Sequence, residues 1–196
     1  HYILNQGTPE QKAKWLPKLA SGEMIGAIAM TEPGAGSDLQ GIRTTARLEG
    51  DHYVVDGSKT FISNGYLADL IVVVVRTSDV PGAKGISLLL VDSKTEGFKV
   101  GKKLHKLGQK GNDTCELFFE NRKVPKENLL GGDPGRGFAQ LMTELPYERL
   151  IIGVYAVAAI ERAVRLTVEY TRERKALGVE RGLEAGTVVK QTGLLG

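Results

Sequence analysis

The chain has 196 residues, 26 Lys and Arg against 23 Asp and Glu, and a formal charge of +3, with 41% hydrophobic and 25% charged residues. Such usage excludes a disordered tail, a collagen-like repeat and a disulfide scaffold, and so small a net charge does not point to nucleic acid. One cysteine, Cys115, permits no internal disulfide and fits a reducing compartment, and apolar runs such as 70–75 fall far short of a bilayer span. The chain opens at His1 without a signal or transit segment, so an intracellular location is expected.

Thr8-Pro9-Glu10-Gln11 combines a capping hydroxyl, a proline suited to the first helical position and a Gln three residues after the cap. It predicts a helix with Trp15, Leu16 and Leu19 on one face, stopped at Ser21-Gly22. From Met24 the period becomes two. Strands are predicted over 25–30, 44–48, 52–55, 59–63, 70–76, 85–91, 97–100 and 114–119, with turns at Glu49-Gly50-Asp51 and Asp56-Gly57. After Gly131-Gly132-Asp133-Pro134-Gly135 a helical period returns. Phe138, Leu141, Met142 and Leu145 share one face, and a second helix is predicted from about Pro146 to Lys175. Ile151, Val154, Tyr155, Ala158 and Val164 are spaced to pack along one side of that second helix.

The order predicts an α+β fold. A central β-barrel or sandwich is flanked by the end of an N-terminal helical domain and the start of a C-terminal helical bundle. The expected divisions are 1–24, 25–132, 133–178 and an atypical tail, 179–196, without internal repeats. The whole reads as a fragment of a larger α-β-α protein.

Thr31-Glu32-Pro33-Gly34-Ala35-Gly36-Ser37-Asp38 follows directly on a predicted strand. Its glycines allow close approach of a ligand, and successive amides in such a loop can face anionic or carbonyl oxygens. By residue type it reads equally as a wide turn with an Asx cap. It is not a dinucleotide fingerprint, because Leu39 stands where the third glycine belongs.

This octapeptide is similar to the flavin and substrate loop of the acyl-CoA dehydrogenases. Further segments fall in that family's order: Phe61-Ile62-Ser63-Asn64-Gly65, Lys106-Leu107-Gly108, Asp113-Thr114, Glu116-Leu117-Phe118-Phe119 and Val124-Pro125. Asn128-Leu129-Leu130-Gly131, Glu148-Arg149 and Arg174-Lys175-Ala176-Leu177-Gly178 follow. The resemblance covers nearly all of 1–178, and its wording is most similar to the long-chain type, with the isovaleryl type next.

The resemblance implies FAD as cofactor and an acyl-CoA thioester as substrate. Ile28, Met30, Thr31 and Ser37 are expected at the flavin, with Ser37 also facing the substrate. Phe61, Ile62 and Ser63 match a strand whose ring covers the flavin and whose hydroxyl reaches it. By residue type alone, Phe61 and Ile62 read as strand core. Glu148 matches the helix carboxylate that removes the α-proton in the long-chain and isovaleryl types, with Pro146, Tyr147 and Arg149 beside the substrate. Its other reading is a carboxylate in a first helical turn, favoured by the helix dipole. Arg174 matches an arginine that reaches a neighbouring subunit's FAD pyrophosphate, and otherwise reads as the cationic end of a helix. Leu177 replaces an aromatic residue usual there, and Ala139 a tyrosine. The segment 179–196 does not resemble the family's continuation.

The implied activity is α,β-dehydrogenation of a fatty acyl-CoA to the trans-2-enoyl-CoA, as in fatty acid β-oxidation. Electrons pass to an electron-transfer flavoprotein, from a homodimer or homotetramer in the mitochondrial matrix or bacterial cytoplasm. Two alternatives remain: an acyl-CoA oxidase, or a truncated non-catalytic member acting in assembly. Lys99, Lys102, Lys103, Lys106 and Lys110 read as a solvated face, His52 and His105 lack metal-ligand spacing, and Cys115 reads as a small core residue.

Overall fold

The structure, a computed structural model, describes residues 1–94, 96–176 and 179–180. Two compact units divide the chain, His1–Glu144 and Leu145–Gly196.

The first unit opens with α1 (Tyr2–Gln6), a short helix the periodicity did not reveal, and α2 (Pro9–Ser21). The Thr8 hydroxyl accepts from the Gln11 amide at 3.2 Å and the Gln11 side chain accepts from the Thr8 amide at 3.1 Å, the reciprocal cap expected of that sequence. Gly22 ends α2 in the left-handed region at φ 78°. Gln11 also reaches forward: its side-chain amide donates to the carbonyls of Glu127 and Leu129, each at 2.7 Å.

Strands β1 (Gly26–Ala29), β2 (Thr45–Glu49), β3 (His52–Ser63), β4 (Leu70–Arg76), β5 (Ile86–Asp92), β6 (Phe98–Lys103) and β7 (Thr114–Pro125) follow. Among the described residues they form one mixed seven-stranded sheet in the order β1-β4-β2-β3-β7-β6, with β5 also on β4. The expected barrel or sandwich is thus a curled half-barrel, and the α+β class holds. β1 runs parallel to β4, while β4–β5, β2–β3, β3–β7 and β6–β7 are antiparallel. The continuous apolar run of β4 is buried from Leu70 to Val75, as expected of a strand covered on both faces. The core gathers Val55, Ile71, Val73, Val75, Leu89, Val91, Cys115 and Leu117.

Two predicted breaks are absent. Asp56-Gly57 is not a turn between strands but lies inside the single long strand β3, opposite a register shift between Val55 and Gly57 whose extra residue is on β7. Gly57 has φ 146°, and a Cβ there would lie 2.6 Å from Thr44 Oγ1, so both backbone and space demand glycine. Nor do two helices meet at Pro146. Helix α3 (Gly137–Glu173) runs through it, although Pro146 has no amide to donate. Along α3 the predicted packing side, Ile151, Val154, Tyr155, Ala158 and Val164, is exposed. Spacing identifies a helix's apolar side without identifying what covers it.

In the second unit β8 (Lys175–Ala176) and β9 (Val179–Glu180) pair antiparallel. Leu177, Gly178 and residues 181–196 of the predicted tail lie outside the described residues.

Candidate functional site

The octapeptide leaves the end of β1 and closes on itself. The Glu32 amide donates to the Ala35 carbonyl at 2.8 Å, and the Ala35 amide returns to the Glu32 carbonyl at 3.1 Å. Asp38 accepts from the Gln40 amide at 3.0 Å, the Asx cap expected of this loop.

Inside the loop, the Glu32 carboxylate turns inward. It accepts from the amides of Arg43 at 2.7 Å and Thr44 at 3.0 Å, and from Lys59 Nζ at 2.9 Å. The Lys59 side chain is wholly buried, and Nζ donates a second bond to the Met30 carbonyl at 3.0 Å. One residue on, the Thr60 amide donates to the Thr31 carbonyl at 2.9 Å. These contacts seat Met30-Thr31 against Lys59-Thr60, so two segments 29 residues apart in sequence become neighbours.

Burial pushes the Lys59 ammonium down to about 8, against the opposing pull of Glu32. Burial works against ionisation of Glu32, but the Lys59 charge, with bonds from Lys59, Thr44 and Arg43, prevails and holds its carboxyl below the usual range.

Directly beyond this junction β3 slips a second time, between Lys59 and Ile62. In a regular strand, residues three apart face opposite sides. Here Lys59 and Ile62 are both buried, and the intervening Phe61 takes up the difference at φ 59°, with its side chain 65% exposed. A phenylalanine in the left-handed region is a costly local conformation. Ser63 beside it is exposed, whereas Ile62 belongs to the core and offers only its backbone to a ligand.

The turn after β3 is pinned from below. The Tyr66 amide donates to Asp113 Oδ2 at 2.8 Å and the Asn64 amide to the Asp113 carbonyl at 3.2 Å. Cys115 lies so close under Gly65 that a Cβ there would meet its Sγ at 2.8 Å. Burial, with Asp113 and Glu116 adding to it, pushes the Cys115 thiol up to about 11, as befits a core residue and not a nucleophile.

Of the predicted cofactor residues, Met30 and Thr31 thus lie against Lys59-Thr60, directly before Phe61 on β3, with Ser63 two positions further on. Ile28 lies half-buried on β1, and Ser37 stands exposed at the loop's far end. An exposed aromatic face beside hydroxyls and a glycine-bearing loop fits a flat, polar-edged ring such as a flavin. In the second unit α3 carries Pro146, Tyr147, Glu148 and Arg149 in successive positions, with Glu148 half-buried and the others exposed. Arg174 follows the end of α3, with its guanidinium 5.7 Å from the Tyr170 ring centre.

Sequence reasoning missed Lys59 and the part played by Glu32. A lysine on a strand reads as solvent-facing, but this one shares the core face of β3 with Tyr53 and Val55, paired with the buried Leu117. The lysine stretch behaves as a solvated face: Lys99 pairs with Glu120 at 2.9 Å, and Lys103 lies 5.2 Å from the Tyr66 ring centre. Among the described residues no group of three or more His, Cys, Asp or Glu could hold a metal. A cavity of about 280 Å³ lies between Gln6, Gly131, Arg136, Ala139, Gln140 and Thr143.

Known proteins match both parts of the chain. The acyl-CoA dehydrogenase middle-domain model matches residues 27–122, and the acyl-CoA dehydrogenase C-terminal-domain model matches 135–186. The chain is 51% identical over 179 residues to the mitochondrial long-chain specific acyl-CoA dehydrogenase of Rattus norvegicus, covering 90% of this chain and 41% of that one. It is 41% identical over 182 residues to mitochondrial isovaleryl-CoA dehydrogenase of Pongo abelii, covering 92% and 43%. The crystal structure of an acyl-CoA dehydrogenase from Geobacillus kaustophilus superposes with a TM-score of 0.92 at 51% identity, covering 98% of this chain and 51% of that one. This chain therefore spans about two-fifths of the length of the curated relatives it matches. With two domain models matching in register, and half of all aligned positions shared with a long-chain relative, the chain belongs to the acyl-CoA dehydrogenase family.

Proposed function

We propose that this chain carries the flavin- and substrate-binding centre of an FAD-dependent dehydrogenase of fatty acyl-CoA thioesters. The observation that supports this most is the junction of Met30-Thr31 with Lys59-Thr60, which sets the exposed Phe61 ring beside the octapeptide loop. When bound, a flavin supplies a two-electron acceptor for hydride from the substrate's β-carbon. Phe61 would cover one face of it, the Thr31 and Ser63 hydroxyls would bond its polar edge, and Arg174 would take a pyrophosphate as a planar fork. Glu148 is assigned removal of the α-proton onto its carboxylate, Pro146, Tyr147 and Arg149 contacts to the thioester substrate, and Ser37 a contact to both flavin and substrate. Likeness to long-chain and isovaleryl relatives supports a helix-borne base. The electron-transfer flavoprotein as acceptor, a homo-oligomeric assembly and action in β-oxidation, in the mitochondrial matrix or bacterial cytoplasm, belong to the same reading.

Glu148→Gln in the full-length protein tests it. The substitution keeps shape and removes the proton acceptor. FAD content is expected to stay normal while substrate-driven bleaching of the flavin falls by roughly 10²–10⁴, the contribution of a positioned general base. Unchanged bleaching would move the base elsewhere. A wild-type protein that takes up no FAD defeats the whole reading. Rapid reoxidation of the reduced protein by air would favour an oxidase.

A further inference from the structure

We propose that Lys59 is a positioning residue for the flavin: its buried ammonium ties the octapeptide loop to the strand that presents Phe61, and so sets the spacing of the two walls between which the ring is held. The proposal rests on the flavin reading above and assigns a task to a residue that touches neither substrate nor cofactor.

Three observations carry it. Lys59 Nζ bonds simultaneously to the Met30 carbonyl and the Glu32 carboxylate, on either side of Thr31 in the loop. Glu32 carries the restraint onward, accepting from the Arg43 and Thr44 amides, so the loop is held at its entry and at its exit toward β2. Lys59 also lies immediately before the slip that ends at Ile62, so the residue anchoring the loop is two positions from the strained Phe61. A lysine on the other strand face would give solvent a charge. This one is wholly buried, at the cost of desolvation. A hydrophobic side chain could fill that volume, but it would bond neither the Met30 carbonyl nor Glu32. The arrangement is a supporting shell that fixes groups which themselves meet the ligand.

The test uses the full-length protein with Lys59→Met, Lys59→Arg and Glu32→Gln, read by FAD titration, the visible circular dichroism of bound flavin, and amide hydrogen exchange. For folded Lys59→Met, FAD affinity is expected to fall about tenfold or more, with an altered flavin band and faster exchange at Arg43 and Thr44. Lys59→Arg, which retains the charge and donors, is expected to recover much of the affinity and the native band. A residue serving stability alone would lower the melting temperature and leave affinity and band shape untouched in the folded protein; that result overturns the proposal. If Lys59→Met does not fold, Glu32→Gln is read in its place. It keeps the Met30 bond, so a smaller loss of affinity is expected, and unchanged affinity and band overturn the proposal equally. Wild-type protein that takes up no FAD overturns the flavin reading and this proposal together. Normal wild-type uptake with an indifferent Lys59→Met overturns this one alone.

Discussion

Lys59 Nζ lies 2.9 Å from Glu32 Oε1, and the two side chains are shut away from water with 0% and 7% of their surface exposed. Removing one partner leaves the other charged, buried and short of bonds. Lys59→Met is therefore expected to lower stability by about 3–5 kcal/mol, as for other buried pairs broken on one side. The double variant Glu32→Gln with Lys59→Met is expected to regain part of that loss, because it leaves no unpaired charge. Urea denaturation of the four proteins of the cycle measures the coupling. A coupling near zero would show that the two groups do not act together.

The same pair has a pH signature. The Glu32 carboxyl is held below its ordinary range, so its stabilisation is complete above about pH 4.3, the unfolded value, and drains away as pH falls through the folded one. Acid denaturation should thus begin at higher pH in wild-type protein than the net charge alone suggests, and Glu32→Gln should flatten that part of the profile. The Lys59 ammonium is lowered as well, by burial, so its contribution has the same sign at higher pH. From about 8 up to about 10.4 the unfolded chain holds this proton more fully than the folded one, so the group's own contribution to stability rises with pH across that window. Carbon-13 labelling of lysine side chains checks it: one resonance is expected to titrate near 8, and its disappearance in Lys59→Met assigns it.

Phe61 stands at φ 59° with most of its ring exposed, so little burial compensates the conformation. Left-handed backbone costs an ordinary residue about 1–2 kcal/mol, and glycine's greater unfolded freedom returns roughly 0.5–1 kcal/mol of that. Phe61→Gly should consequently leave stability unchanged or raise it by up to about 1 kcal/mol. Phe61→Val, branched at Cβ, should be clearly less stable. If the ring covers the flavin, Phe61→Gly also weakens FAD binding, so stability and affinity move in opposite directions. Thermal melts with and without FAD separate the two effects.

Cys115 is buried in the core with its thiol pushed up to about 11. Native protein at pH 8 should leave a thiol reagent such as 5,5′-dithiobis(2-nitrobenzoic acid) unreacted, and one equivalent should react on unfolding. Its neutral thiol favours the folded state until the unfolded thiol begins to ionise near about pH 8.5, and that preference is lost as pH rises through the folded value. Gly65→Ala would press a methyl group to 2.8 Å from Sγ, an overpacking expected to cost about 1–3 kcal/mol. Pairing it with Cys115→Ala should relieve much of that loss, measured as a rise in melting temperature.

Local chemistry was readable where neighbours in sequence do the work. The cap formed by Thr8 and Gln11, the hairpin at Gly50-Asp51, the apolar run of β4 and the Asx cap at Asp38 all appear as expected, because each depends on residues within a few positions. Asp56-Gly57 misled for the same reason: the pair reads locally as a turn, and only pairing with β7 places it inside a strand. Pro146 misled in the other direction, since a long helix tolerates one missing bond that a short one would not.

By itself the sequence determined the α+β order, the strand and helix periods and the motifs whose register marks the family. Those features are written in side-chain spacing and type, which need no third dimension to be read. Tertiary structure alone decided that Gln11, besides capping its own helix, bonds the carbonyls of Glu127 and Leu129, and that Lys59 points inward to Glu32 and Met30. Those partners are separated by 27 to 118 positions. A buried polar group must find whatever donor or acceptor the fold brings within reach, and no local pattern records which one that will be.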